Sequence, residues 1–205
     1  VARDGRRFLE ANLRMSGEFN VRNALAVVAA AAEQGLSAGE IAEGLTTFDG
    51  VRRRLEIKGE VAGVVVLDDF AHHPTAIAET LRAVRRRFVG RRVLAVLEPR
   101  SWSLRRNVFQ DILPAAFRPA DVILIKTPFE GSAVRDGEKL DPDRLLGDIR
   151  AFNRNSHLFP KIEGILEHIE KNITPDDENV IVIMSNGGFD GIYEKMRVML
   201  EGMVV

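Results

Sequence analysis

Residues 64–88 read VVVLDDFAHHPTAIAETLRAVRRRF. An apolar run is followed by a turn of two acids and two histidines, and then by an apolar stripe at helical spacing. Val64 to Leu67 is continuous and short, the pattern of a strand buried on both faces. Pro74 suits the first position of a helix, where its missing N–H would have had no partner. Ile77, Leu81, Val84 and Phe88 then fall on one helical face. The stretch is a strand, a turn and a helix, and Asp68, Asp69, His72 and His73 crowd the turn.

The same grammar recurs downstream. VLAVL (93–97), VILI (122–125) and VIVIM (180–184) read as buried strands. Between and after them, residues 104–117, 141–151 and 161–171 read as helices, and a last helix is buried through Phe189, Ile192, Met196 and Leu200. LEIKG (55–59) and VAGVVVL (61–67) give two strands at the start. Alternating strands and helices of this kind predict an α/β fold, a mostly parallel sheet with helices on both faces.

Upstream the pattern changes. Residues 1–15 have room for one or two short strands. In GEFNVRNALAVVAAAAEQG (17–35), Val21, Leu25, Val28 and Ala32 share a helical face, with Asn20 as the expected N-cap and Gly35 as the stop. Ser37 and Glu40 form the signature of a capping box ahead of Ile41 and Leu45. Thr46 to Gly50 reads as a linker. The expected division is therefore 1–49, a small helical piece, and 50–205, the α/β domain.

The 205 residues carry 29 Lys+Arg against 30 Asp+Glu, so net charge gives no argument for nucleic acid or an anionic membrane. There is no cysteine, which excludes disulfides and thiol chemistry. No apolar run reaches the roughly 20 residues that span a bilayer, and the N-terminus has no signal-peptide core. A cytoplasmic protein is expected. The chain begins in mid-pattern without Met, as a piece of a longer protein would.

In an open parallel sheet, ligands bind beyond the carboxyl ends of the strands. Four polar segments should meet there: Asp68 to His73, Glu98 to Ser101, Lys126 to Pro128, and Ser185 to Gly188. Asp69, His72 and His73 read either as ligand-binding groups or as caps of the turn, because Asp69 or His73 could satisfy free helix N–H groups. A zinc site is not expected: the two histidines are adjacent, and neither His157 nor His168 has a reason to join them. SNGG (185–188) could cradle an anion through backbone N–H groups, or be a tight turn only. Arg100 suits bidentate grip of a carboxylate or phosphate. Trp102 reads more readily as a core residue than as part of a site. The Arg52-Arg53-Arg54 cluster stands beside the boundary. Arg85-Arg86-Arg87 closes a helix and reads as solvated surface. No GxxxxGK[ST] phosphate loop occurs anywhere.

With those residues in view, the chain resembles the Mur ligases, the ATP-dependent amide-forming enzymes of peptidoglycan synthesis. GEFNVRNALAV (17–27) is similar to the end of their central ATP-binding domain. FDGVRRRLE (48–56) is similar to the entry to their Rossmann-like C-terminal domain, and DDFAHHPT (68–75) to its first large motif. The resemblance implies ATP and Mg²⁺ as cofactors, with Asn20, Arg54 and Asp69 on the nucleotide. It implies His72, His73, Arg100, Ser101, Ser185 and Asn186 on the acceptor substrate, and no secure catalytic residue within the chain. Phe19 stands where a histidine is common, which leaves stacking on the base but not hydrogen bonding.

Within the family, EPRS (98–101) and SNGGFDGIYEKM (185–196) are most similar to members that join UDP-N-acetylmuramate to the recycled tripeptide L-alanyl-γ-D-glutamyl-meso-diaminopimelate. Those that add L-alanine share GVRRR and DDxxHHPT but have QPHRYTR where this chain has EPRSWSL. The implied reaction proceeds through an acyl phosphate that the acceptor amine attacks. The phosphate loop, the metal ligands and the UDP-binding domain are expected upstream of Val1, in further domains of the same protein, and the chain alone is expected to be inactive. The alternatives are the L-alanine-adding sibling and, in another class, a non-catalytic ligand-binding module.

Overall fold

The computed structural model describes residues 1–61, 63–128, 134–174 and 178–203. The chain separates into two compact units, Val1–Arg52 and Arg53–Val205.

In the first unit, β1 (Ala2–Arg3) and β2 (Arg6–Arg7) form a two-stranded antiparallel ribbon, followed by α1 (Glu18–Glu33) and α2 (Ala38–Thr47). Leu9, Val28 and Ile41 make its small core, with Phe8, Ala31, Ala32 and Leu45 packed around them. Two expectations fail here. Gly17, not Asn20, occupies the N-cap of α1, and the Asn20 amide turns inward to donate to the Ser16 carbonyl at 2.7 Å. Of the expected apolar face, Val28 is buried, but Val21 and Leu25 remain 49% and 46% exposed. The capping box is present: Ser37 Oγ accepts from Glu40 N–H, and the Glu40 carboxylate accepts from Ser37 N–H.

The second unit is built on a six-stranded sheet. Its strands are β3 (Glu56–Val61), β4 (Val64–Asp69), β5 (Arg92–Leu97), β6 (Val122–Lys126), β7 (Ser156–Phe159) and β8 (Asn179–Met184), in the spatial order β3-β4-β8-β5-β6-β7. All neighbours are parallel except β3, which pairs antiparallel with β4 through a tight connection at Gly63 (φ 76°). Ala62, inside the predicted 61–67 run, lies outside the described residues. The central strands are buried from end to end, as their continuous apolar sequences require. Val64, Val66, Leu94, Val96, Leu124, Ile181 and Ile183 pack against α6 (Ile162–Asn172) and α7 (Ile192–Gly202). The alternate residues point to the other face, where α3 (Pro74–Arg87) meets β5 and α5 (Pro142–Arg150) meets β7, with α4 (Leu113–Ala116) between the two helices.

Sequence and structure part company in two places. The helix expected over 104–117 is reduced to a 3₁₀ turn at Asn107–Phe109 and the single turn of α4. Residues 137–141 compete for its backbone. Asn107 N–H donates to Glu138 O, Leu140 N–H donates to Arg105 O, and Gln110 exchanges two hydrogen bonds with the backbone of Asp141. Strand β7 was not expected, because SHLF carries a serine and a histidine in an edge strand and has no apolar run.

Candidate functional site

The register aligns the carboxyl ends. Asp69 and Leu97 both pair with Met184, and Leu97 pairs with Ile125. Phe70, Ser185, Glu98 and Lys126 therefore emerge along one rim, as expected. Two stretches of this rim hold non-glycine residues in the left-handed backbone region, at Arg53 (φ 59°) and Leu55 (φ 49°), and at Phe189 (φ 46°) and Asp190 (φ 51°). Such conformations cost on the order of 1–3 kcal/mol each and persist where surrounding contacts impose them.

The first strained stretch is pinned at every backbone group that matters. Arg53 N–H donates to Glu56 Oε2 at 2.8 Å, and Arg53 O accepts from Phe70 N–H at 2.8 Å. Leu55 N–H donates to Asp69 Oδ2 at 2.9 Å. Asp69 is 2% exposed, and its Oδ1 also accepts from Ala71 N–H at 2.9 Å and Thr80 Oγ1 at 3.1 Å. Burial pushes its carboxyl above the ordinary range, against the lowering effect of these donors and of the Arg54 charge. Three of about four acceptor positions on this carboxylate are thus filled from within. Arg54, held between the two left-handed residues, is exposed.

The resemblance singled out Arg54 and gave Arg53 no role, yet Arg53 is the buttress. Its Nε lies 3.4–3.5 Å from both oxygens of Asp68. Its Nη2 donates to Gly187 O at 2.9 Å and also to Ser185 O. The guanidinium lies over Phe70, 5.1 Å from the ring centroid. Asp68, 2% exposed, also accepts a short hydrogen bond from Tyr193 OH. Burial first, and then this carboxylate, push the Tyr193 phenol well above its usual value.

The histidines divide. His73 caps α3, its Nδ1 accepting from Thr75 N–H at 3.2 Å, and it packs edge-on against Phe109. His72 is half-buried, with Nδ1 2.8 Å from Phe70 O. Nδ1 must therefore donate, which leaves Nε2 as an acceptor in the neutral ring.

The second strained stretch borders an open pocket of about 420 Å³ lined by Glu98, Pro99, Arg100, Arg105, Lys126, Thr127 and Asp190. Glu98, 6% exposed, is its hub. Oε2 accepts from Ser185 Oγ at 2.6 Å, and Oε1 lies 3.4 Å from Lys126 Nζ and 3.9 Å from Arg100 Nη1. Lys126 also pairs with Asp190. Burial works to lower the Lys126 ammonium, but the two carboxylates outweigh it and hold its pKa above the ordinary lysine value. Arg100 is exposed and lies across Gly187, where an added Cβ would stand 2.4 Å from its Cδ.

Ser185 is fully buried, and its Oγ accepts from Gly187 N–H at 2.9 Å, so that N–H is already committed within the SNGG turn. Asn186 Oδ1 is shut away from solvent without a hydrogen-bond partner among the described residues. Ser101, 8% exposed, accepts from Leu104 N–H and so shapes the loop after Arg100. Asn20 belongs to the first unit. Arg105 and Asp190 were not singled out in sequence, whereas its strand-end position had already set Lys126 among the rim segments. Among the described residues, no group of three or more ligating side chains fits a metal ion.

A mostly parallel sheet covered on both faces, with arginine, lysine and carboxylate side chains converging beyond its strand ends, defines an α/β domain with a charged rim. Residues 53–187 match the family model for the Mur ligase, glutamate ligase domain, and the chain belongs to the Mur ligase family. It is 36% identical over 204 residues to the UDP-N-acetylmuramate–L-alanyl-γ-D-glutamyl-meso-2,6-diaminoheptandioate ligase of Escherichia coli (strain K12), covering 99% of this chain and 41% of that protein. It is 38% identical over 185 residues to the UDP-N-acetylmuramate–L-alanine ligase of Salinibacter ruber, covering 90% and 38%. The crystal structure of a murein peptide ligase from Psychrobacter arcticus superimposes with a TM-score of 0.71 at 34% identity, covering 95% of this chain and 39% of that one. The chain thus spans about two fifths of the length of the curated relatives it matches. No described helix is long and apolar enough to cross a membrane.

Proposed function

We propose that this chain is the acceptor-side part of an ATP-dependent amide-bond ligase. That enzyme joins UDP-N-acetylmuramate to L-alanyl-γ-D-glutamyl-meso-diaminopimelate, in the recycling arm of peptidoglycan synthesis. The observation that carries the reading is the rim pocket, where Arg100 reaches out over Gly187 from a hub formed by Glu98, Ser185 and Lys126. A peptide acceptor carries carboxylates far from its reacting amine, and a guanidinium fork at the pocket edge suits such a group. His72 stands near this rim with Nδ1 turned to the Phe70 carbonyl. Exposed Arg54 is the nucleotide-side cation, and Asp69, pinned beneath it, fixes its direction while one acceptor position remains for a ribose hydroxyl.

ATP would supply the energy for activating the muramyl carboxylate. In this reading the work of these side chains is binding and orientation. They hold the acceptor in place and keep water from the activated carboxylate. Because the 205 residues contain no phosphate-loop sequence, the chain alone is expected to release no phosphate.

The 38% identity to an L-alanine-adding relative supports a second reading, in which free L-alanine is the acceptor. Acceptor titrations on the complete enzyme decide between them, with phosphate release as the readout. The proposal expects the tripeptide to be far better than L-alanine, and Arg100→Ala to lower kcat/KM for the tripeptide with ATP binding nearly unchanged. Preference for L-alanine moves the assignment to the sibling. An Arg100→Ala enzyme as efficient as wild type removes Arg100 from the site.

A further inference from the structure

The rim pocket holds a second guanidinium that the reading above does not use. Arg105 lines the same pocket as Arg100. The two arginines and Lys126 bring three positive charges to a wall with two carboxylates, Glu98 and Asp190. Those carboxylates are already engaged. Lys126 takes both of them, and Ser185 takes the second oxygen of Glu98. Arg100 reaches Glu98 only at 3.9 Å, and Arg105 has no ion pair among the described residues. Its Nε is shut off from solvent and has no acceptor among the described residues. Among the described residues, the pocket therefore carries three cationic side chains against two carboxylates that are already engaged.

Arg105 is held by an aromatic side chain instead of an acid. Its guanidinium lies 5.7 Å from the Trp102 ring centroid, and Arg106 lies 5.9 Å from the same ring. Trp102, expected as a core residue, is 52% exposed. The backbone fixes the geometry further: Arg105 N–H donates to Ser101 O at 3.1 Å, and Arg105 O accepts from Leu140 N–H at 3.0 Å. A cation resting on an aromatic face keeps its hydrogen-bonding edge free for a ligand.

We infer that Arg100 and Arg105 form a two-armed clamp for an oxyanion, with Trp102 as the support of the second arm, and that the bound group is a carboxylate of the peptide acceptor. The inference rests on the acceptor reading given above. Two guanidiniums flanking one carboxylate bind it more tightly and with more directional demand than one. Free L-alanine would have to bring its amine equally close to the clamp, whereas a peptide can place a remote carboxylate there.

Trp102 is the only tryptophan of the chain and its ring carries the Arg105 guanidinium, so its fluorescence reports on the second arm of the clamp. The test titrates the 205-residue chain with the tripeptide, with the tripeptide fully amidated at its carboxylates, with L-alanine and with inorganic phosphate. The clamp predicts a saturable change with the tripeptide. Amidation should weaken it about tenfold or more, as should Arg105→Gln, while Arg105→Lys should recover part of the loss by restoring charge without the fork. Matching urea midpoints for the variants show that folding is intact. Tripeptide binding by Arg105→Gln within twofold of the native chain overturns the clamp and leaves the acceptor reading standing. An Arg105-dependent response to L-alanine equal to that for the tripeptide keeps the clamp and overturns the tripeptide reading. A response to phosphate but not to the tripeptide, or no saturable response to any probe, overturns the carboxylate clamp.

Discussion

Replacing Arg53 by methionine tests the buttress under the rim. Methionine keeps the apolar stem against Phe70 but removes the charge and every N–H. Asp68, with its side chain 3% exposed, would lose its nearest cation, and the carbonyls of Ser185 and Gly187 would lose a charged donor. Breaking a buried pair by removing one partner costs about 3–5 kcal/mol. Two features reduce that here: the Arg53 side chain is 30% exposed, and Asp68 keeps the Tyr193 hydroxyl and Lys58 at 4.0 Å. Relief of the left-handed backbone is not part of the change, since methionine is as constrained as arginine there. The expected loss is about 2–3 kcal/mol, read as a lower urea midpoint at unchanged slope. Trp102 fluorescence confines the measurement to the second unit. Arg53→Lys should recover less than half, because an ammonium cannot span the carboxylate and both carbonyls. A loss below about 0.5 kcal/mol for Arg53→Met would refute the reasoning, since it would mean that these contacts are not made in solution.

Gly187→Ala should leave stability within about 1 kcal/mol, since only the flexible Arg100 side chain has to move. It should nonetheless raise the acceptor KM of the complete enzyme, as steady-state kinetics would show. Asp69→Asn keeps one acceptor oxygen and turns an NH₂ toward N–H donors. It should cost about 1–2 kcal/mol in urea unfolding, at the lower end of the range for a lost buried partner because the buried charge is relieved as well. In the complete enzyme it should also raise the apparent KM for ATP. His157 and His168 lie with ring centroids 4.3 Å apart, and both are held below the ordinary histidine range. The first cause is burial in each case, followed by Arg150 for His157 and by His157 and Arg92 for His168. The unfolded chain therefore binds more protons, so stability should fall as pH drops through about 6.5 and level off below the folded values. Urea midpoints between pH 8 and 5 check this, and a flat profile for the double variant His157→Gln, His168→Gln is the expected control.

How much of this was legible depended on the kind of signal. VVVL, VLAVL, VILI and VIVIM could only be central strands, and their order in the chain placed the rim before any coordinate did. Edge strand β7 was hidden because a strand with one neighbour needs no apolar run, and SHLF offers none. The segment over 104–117 carried a helical stripe, but its hydrogen bonds go to residues 137–141, a pairing distant in sequence that local periodicity cannot show. Strand-end position set Asp69, Arg100 and Ser185 on one rim but said nothing of direction. Three consecutive arginines look alike in sequence. Only the left-handed backbone at Arg53 and Leu55 turns one inward and the next outward. Likewise His72 and His73 are neighbours, yet Pro74 starts the helix and makes a cap of the one that precedes it.

The most direct test of the central claim is a competition. The complete enzyme is given ATP, magnesium, UDP-N-acetylmuramate and equimolar tripeptide and L-alanine, and the product is weighed by mass spectrometry. The account predicts UDP-N-acetylmuramoyl-tripeptide as the dominant product. A product carrying L-alanine alone would contradict the acceptor assignment, and absence of any amide product would contradict the ligase reading itself.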